Sequence, residues 1–111
     1  MANEQFLAQL WAVIESRKAE GGPEKSYTRE LLANPTKARK KVAEEAHEVN
    51  EAHHALLLGR DTKDHLAHEA ADLVYHLFVL LASADVTPAE VYAVLASRHG
   101  QGSKAVGAKN P

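Results

Sequence analysis

The sequence predicts an all-α fold, a helical bundle built on two long antiparallel helices. Three observations carry that prediction. Apolar residues recur with a helical period along most of the chain, and alternating β-branched runs are absent. Residues that start and stop helices stand at the joints of the periodic stretches, at Asn34-Pro35, Gly59, Asp61-Thr62 and Thr87-Pro88-Ala89-Glu90. The joint between the two longest stretches is short, which makes the helices on either side of it antiparallel neighbours.

Asn3 is the expected N-cap of a first helix, whose Phe6, Leu7, Leu10, Trp11, Val13 and Ile14 form one apolar stripe and which ends at Gly21-Gly22-Pro23. A polar loop follows, through Ser26-Tyr27-Thr28 to a short apolar patch at Leu31-Leu32. Asn34 and Pro35 read as N-cap and first residue of a long helix to about Leu58, and Gly59 is placed to end it. Asp61 or Thr62 caps the next helix, which runs to about Ala84 and turns Leu66, Ala70, Leu73, Val74, Leu77, Leu80 and Leu81 toward a core. Thr87-Pro88-Ala89-Glu90 is a capping box with proline at the first helical position, opening a last helix to about His99. Residues 1–99 are expected to form one helical domain, and residues 100–111, rich in Gly, Lys and Ser, a flexible tail.

Composition bounds the function. A chain of 111 residues supports a single core, and 45% apolar with 25% charged residues is ordinary for a soluble globular protein. The net charge of -2 argues against general attraction to nucleic acid or to anionic membranes. The absence of cysteine excludes disulfides and thiolate metal sites, and is compatible with a reducing cytosol. Met1 to Gln5 has no basic segment leading into an apolar one, and no apolar stretch reads as long enough to span a bilayer. The expectation is a cytoplasmic protein that binds neither nucleic acid nor membrane.

Two acidic groups interrupt this ordinary pattern, Glu44-Glu45-Ala46-His47-Glu48 and Glu69-Ala70-Ala71-Asp72. The second lies inside Leu66 to Ala82, otherwise among the most apolar runs of the chain. Carboxylates are almost never fully buried unless paired or bound to a cation. Residues three apart on a helix are neighbours, so Glu45 and Glu48 project together, as do Glu69 and Asp72. Glu45 and Asp72 stand at similar distances before and after Gly59, and antiparallel pairing sets the two acidic pairs opposite each other. An all-oxygen site of this kind suits Mg²⁺ or Mn²⁺, and Mg²⁺ sites usually serve phosphate chemistry. The alternative for each acid is a solvated helix-face charge, the better reading on spacing alone for Glu44 and Glu51.

Basic residues approach the acids. Lys37, Lys41, Glu45 and Glu48 climb one helix face, and Lys37, Lys40 and Lys41 are candidate phosphate contacts. Their alternative role is ion pairing, Lys40 to Glu44 and Lys41 to Glu45, in the less stabilising order with Lys first. Tyr75 and His76 follow the second acidic pair. His76, four residues past Asp72, is read as a partner that orients the Asp72 carboxylate, as a nucleotide contact, or as a core histidine. His65 with His68, and His53 with His54, form no motif with an open metal position, and no histidine metal site is expected.

Glu44-Glu45-x-x-Glu48, about twenty residues, and Glu69-x-x-Asp72 together resemble the signature of the MazG-like all-α nucleotide pyrophosphohydrolases. Within that superfamily the chain is most similar to the phosphoribosyl-ATP pyrophosphatases of histidine biosynthesis. Ser26-Tyr27-Thr28 followed by Leu31-Leu32 resembles the family's Ser-Tyr-Thr segment. Lys41 to Ala46 resembles its Lys-Val-Gly-Glu-Glu-Ala block, with Ala43 where glycine is expected. Glu69 to Leu77 resembles its Glu-Ala-Ala-Asp-Leu-x-Tyr-His-Leu block, and the likeness spans roughly Phe6 to His99.

The resemblance implies Mg²⁺-dependent hydrolysis of the α–β phosphoanhydride of phosphoribosyl-ATP, giving phosphoribosyl-AMP and pyrophosphate, with Mn²⁺ as the alternative metal. It implies Glu45, Glu48, Glu69 and Asp72 as metal ligands. Glu44 and Glu45 become the catalytic acids, Glu44 either as a ligand or as the group that orients water. Lys37, Lys40, Lys41, Tyr75 and His76 become the substrate contacts. It also implies a homodimer packed through the central helices, for which Leu73, Leu77 and Leu80 against Val74, Phe78 and Leu81 offer apolar surface on more than one face. Two other readings stand beside it. One is a housecleaning pyrophosphatase of free or damaged nucleoside triphosphates, and the other a non-enzymatic dimerisation module with the acids as surface charge. The Ser-Tyr-Thr and Tyr-His elements favour the first reading.

Overall fold

The structure, a computed structural model, describes residues 2–20 and 26–100. Within them the chain forms helices α1 (Ala2–Glu20), α2 (Tyr27–Ala33), α3 (Pro35–Leu57), α4 (Lys63–Ser83) and α5 (Pro88–Leu95). A turn of π-helix, Ala96–Gly100, continues α5, and no strand occurs among the described residues.

Side-chain caps set where four of these helices begin. Ser26 Oγ accepts from the Arg29 N–H at 3.2 Å, and Asn34 Oδ1 accepts from the Lys37 N–H at 3.2 Å. Thr62 Oγ1 accepts from the His65 N–H at 3.1 Å. At α5 the box is complete: Thr87 Oγ1 accepts from the Glu90 N–H at 3.2 Å, and the Glu90 carboxylate accepts from the Thr87 N–H at 3.0 Å. A cap of this kind contributes about 1 kcal/mol.

Two helices end in a residue with positive φ. After α3, Gly59 has φ 73°, its N–H reaches Leu56 O at 2.9 Å, and the Arg60 N–H reaches Ala55 O at 2.9 Å. That pair of bonds closes the last turn of α3 and reverses the chain. After α4, Asp85 has φ 60° and makes the equivalent bonds, Asp85 N–H to Ala82 O and Val86 N–H to Leu81 O. Lys18 from α1 reinforces this end by pairing with the Asp85 carboxylate and donating to Ala82 O at 2.6 Å. The reversal at Gly59 lays α4 antiparallel along α3, the most extensive helix pairing in the molecule.

The core lies at one end of that hairpin. Ile14, Leu31, Ala38, Phe78, Val79 and Ala82 are buried together, with Leu10, Trp11, Leu32, Tyr75 and Leu80 packed against them. Trp11 meets the Phe78 ring edge-on, centroids 5.8 Å apart. The core therefore uses the beginning of α3 and the end of α4. The stretch of hairpin that carries Glu45, Glu48 and Glu69 stands nearer the Gly59 turn, outside it.

Several expectations need correction. Asn3 lies inside α1 and is not its cap. Residues 27–33, expected as loop and apolar patch, form α2. Seven residues are too few for a period to register, and the cap at Ser26 was the available signal. Of the α1 stripe, Ile14 is buried and Leu10 and Trp11 pack on the core, whereas Phe6, Leu7 and Val13 stay exposed. On α4 the buried set is His76, Phe78, Val79 and Ala82, with Val74 and Leu77 exposed, because α1 and α2 both pack against that side of the helix. By length and composition α4 also reaches what a membrane span requires, contrary to the reading of the sequence. Its contacts with α1, α2 and α3 are those of a core helix. Gly100, expected as the first residue of the 100–111 tail, instead ends the π-helical turn. The expected break at Gly21-Gly22-Pro23, and the rest of the expected tail, 101–111, lie outside the described residues.

A Cβ added at Gly59 would meet no atom within 4 Å, so its positive φ alone opposes substitution. Gly59→Ala is expected to lower unfolding free energy by about 1 kcal/mol, and Gly59→Asn by less. Urea denaturation measures both. An unchanged Gly59→Ala midpoint would mean the turn does not require the left-handed conformation.

Candidate metal centre

Glu45 and Glu48 share a face of α3, and Glu69 meets them from α4. One carboxylate oxygen from each lies within 4.8 Å of the others. Glu45 is buried, with 7% of its surface exposed, Glu69 is half-buried and Glu48 is exposed. Glu45 Oε1 and Glu69 Oε1 are buried and accept no hydrogen bond. Burial, and next the neighbouring Glu48, push the Glu69 carboxyl above its ordinary value of 4.5, while His65 pulls the other way.

The donor set suits one class of occupant. Buried oxygens without donors are costly, and a cation satisfies them as a hydrogen bond would. Three carboxylates without thiolate or imidazole in the group form a hard oxygen site, which fits Mg²⁺ or Mn²⁺.

Asp72, the fourth expected ligand, is exposed, and its carboxylate is outside the group of three. Three residues of helix turn through 300°, which leaves Asp72 about 60° around α4 from Glu69. The two expected opposing pairs thus become two acids on α3 facing one on α4.

Lys41 flanks the cluster, with Nζ 3.3 Å from Glu44 Oε1 and 3.7 Å from Glu45 Oε2. Its bond to Glu44, more than any other cause, raises its pKa above 10.5, and Tyr27 and the charges of Glu44 and Glu45 add to this. Glu44 is thereby held beside the cluster by Lys41, and not by Lys40 as the ion-pairing alternative had it. Lys40 is exposed. Lys37 pairs with Glu30 of α2 and lies 6.0 Å from the centre of the Tyr27 ring.

The Ser-Tyr-Thr and Tyr-His elements meet each other. The Tyr27 hydroxyl bonds His76 Nε2 at 2.9 Å, and the Thr28 hydroxyl bonds the Tyr75 hydroxyl. His76 Nδ1 donates to the Asp72 backbone carbonyl at 2.7 Å, which leaves Nε2 to accept from Tyr27. Tyr27 also stacks on Tyr75, with ring centres 6.2 Å apart. Burial raises the Tyr75 hydroxyl above its ordinary value of 10.0. His76 is buried with both nitrogens engaged, and it orients the backbone of Asp72 and not its carboxylate. These four side chains fasten α2 to α4 one to two turns from Glu69.

Two residues not read from the sequence as part of the site adjoin the cluster, His65 directly and Asp61 through it. His65 Nε2 lies 3.0 Å from Glu69 Oε2, and His65 Nδ1 lies 2.7 Å from Asp61 Oδ2. Asp61 Oδ1 accepts from the Thr62 N–H at 2.7 Å. Asp61 raises the His65 pKa above 6.5, and His65 in turn holds Asp61 below its usual 3.8. With Glu48, Glu51, Ala52, Ala55 and Glu69 they line a concavity of about 270 Å³. The available signal was the four-residue spacing of His65 and Glu69 on one helix face, with Asp61 four residues earlier at the helix entrance. A larger, apolar cavity of about 430 Å³, between Leu7 and Trp11 of α1 and Pro88 and Tyr92 of α5, contains no acidic residue.

Comparison with known proteins identifies the family. The family model described as phosphoribosyl-ATP pyrophosphohydrolase matches residues 7–99. A phosphoribosyl-ATP pyrophosphatase of Cereibacter sphaeroides is 46% identical over 95 residues, 85% of this chain and 86% of that protein. One from a Caulobacter species is 44% identical over 107 residues, covering 96% of this chain and 94% of its own length. One from Magnetococcus marinus is 43% identical over 97 residues, which is 86% of this chain and 37% of that longer protein. No solved structure matches. The matched span takes in α2 through α5, including every carboxylate of the cluster, and on it the chain belongs to the phosphoribosyl-ATP pyrophosphohydrolase family.

Proposed function

We propose that this chain hydrolyses the α–β phosphoanhydride of phosphoribosyl-ATP, releasing phosphoribosyl-AMP and pyrophosphate, as a Mg²⁺-dependent enzyme, with Mn²⁺ as the alternative metal. The observation that carries this is the set of three convergent carboxylates, two of them with buried oxygens lacking any donor, inside the family's matched span. Glu45, Glu48 and Glu69 would hold the cation, with Asp72 completing the ligand set from the solvent side. A divalent cation so bound neutralises phosphate charge and makes water easier to deprotonate. Glu44, fixed by Lys41, takes the proton as a water oxygen bonds to phosphorus and the bridging P–O bond breaks, with Glu45 beside it. Lys41, supported by Lys40 and Lys37, meets the anionic phosphates, and Tyr75 and His76 form the wall toward the nucleotide. We assign the enzyme to the cytoplasm, in histidine biosynthesis.

We further propose a homodimer. Val74 and Leu77 on α4, Leu57 and Leu58 at the hairpin tip, and Tyr92, Val94 and Leu95 on α5 are exposed large apolar side chains. Surface of this kind, on more than one helix, is what a stable dimer interface covers. Light scattering at micromolar concentration is expected to return twice the chain mass of 12.1 kDa. The mass of a single chain would rule the dimer out.

Pyrophosphate release with Mg²⁺ is expected to be rapid on phosphoribosyl-ATP and slow on ordinary nucleoside triphosphates. The opposite ranking would reassign the substrate. Glu45→Gln, Glu48→Gln, Glu69→Gln and Asp72→Asn are each expected to lower turnover ~100-fold while the protein stays folded, because each removes a few kcal/mol of charge stabilisation. Near-normal turnover in any one at saturating Mg²⁺ would take that residue out of the site.

The acidic cluster also fixes a pH dependence. Glu69 titrates above its ordinary value of 4.5, so its contribution to stability is whole below that value and is lost as pH rises through the raised one. Cation binding needs the ionised carboxylates, so stabilisation by Mg²⁺ grows over the same window. Thermal melts are expected to show a small Mg²⁺ increment at about pH 5 and a larger one at about pH 7.5. In Glu69→Gln the increment should be nearly flat with pH. Equal wild-type increments at both pH values would mean that protons and Mg²⁺ do not compete for this site.

A further inference from the structure

We propose that His65 is a positioning residue for the acidic cluster, its ring braced by Asp61 and tying back one oxygen of Glu69 so that the other is left for a cation. The inference rests on the reading of Glu45, Glu48 and Glu69 as cation ligands, and it adds to that reading the device that holds one of them in place.

The bonds form a single line from the turn before α4 into its first two turns. It begins at a backbone donor, the Thr62 N–H, which holds Asp61 Oδ1 at 2.7 Å. It continues from Asp61 Oδ2 to His65 Nδ1 at 2.7 Å, and from His65 Nε2 to Glu69 Oε2 at 3.0 Å. Both ring nitrogens are engaged, so the ring cannot turn about its long axis without breaking a bond at each end. His65 and Glu69 are at i and i+4 on one face of α4, the spacing at which helical side chains meet, and Asp61 reaches His65 from the turn just before the Thr62 cap. The line ends where the remaining oxygen of Glu69, Oε1, lies buried with no hydrogen-bond donor.

A glutamate has several torsions to settle before it can serve as a ligand, and a hydrogen bond to one of its oxygens settles them in advance. Loss of such a partner typically weakens metal binding 10–100-fold. An opposite effect competes, since charge on the ring repels a cation. His65 retains 48% of its side-chain exposure, so water screens that repulsion while the hydrogen bond keeps its geometry. Orientation therefore outweighs repulsion. The exposure also places the effect at the low end of the range.

The test is Mn²⁺ binding to the metal-free full chain, followed by electron paramagnetic resonance of free Mn²⁺, with circular dichroism to check folding. His65→Ala is expected to bind about tenfold more weakly than wild type. His65→Gln keeps an N–H donor four residues before Glu69 and is expected to recover most of that loss. Should His65→Ala fail to fold, Asp61→Ala takes its place with the same direction of change. Unchanged or tighter binding in His65→Ala, or binding as weak in His65→Gln as in His65→Ala, overturns the proposal. A wild-type chain that binds no Mn²⁺ overturns the cation reading itself, and this inference with it.

Discussion

Three carboxylates from two helices occupy a space in which they repel one another, and the fold is arranged to hold them there. The requirement falls first on register. A slip of one residue between α3 and α4 would swing Glu69 by about 100° away from Glu45 and Glu48. The Gly59 turn fixes that register from one end, with both closing bonds at 2.9 Å. The apolar cluster of Phe78, Val79, Ala82, Ala38, Leu31 and Ile14 fixes it from the other. The acids lie between two anchors and rely on neither for hydrogen bonds.

The residues that mark the family divide into two kinds of work. The acids and Lys41 face one another across the hairpin and hold charge. Tyr27, Thr28, Tyr75 and His76 pair off and hold a helix: two hydrogen bonds and a stacked ring pair secure the seven-residue α2 against α4. A helix that short gains little from its own backbone, so tertiary packing must supply its stability. Its place matters because Glu30 and Tyr27 engage Lys37, and Tyr27 bears on Lys41. The short helix thereby shapes the basic flank beside the acidic centre.

The parts legible in the sequence were those with local causes. Asn34-Pro35, Gly59 and Thr87 through Glu90 announce helix ends by chemistry confined to a few residues, and each behaves as that chemistry requires. Glu45, Glu48 and Glu69 were legible because acids in apolar surroundings need a reason. Less legible was everything set by rotation about a helix axis. Spacing of three placed Asp72 with Glu69, while the packing of α4 turned it toward solvent. The same rotation exposes Val74 and Leu77 and buries His76. Asp61 and His65 make no metal motif with the other histidines, and what gives them a place at the site is a carboxylate one turn away, Glu69.

The off-centre core divides the α3–α4 hairpin into unlike halves. The half near Phe78 is wrapped by α1 and α2, while the half bearing Glu69 is a two-helix arm with Ala52 as its buried apolar contact. With its thinner packing such an arm is expected to open at less cost than the whole protein, as a cooperative unit of its own. Amide protons around Glu69 would then exchange through a local event and those around Val79 only through global unfolding. Whatever binds between the acids draws the arm into the larger unit, and ligand occupancy becomes readable as slowed exchange along half of one helix.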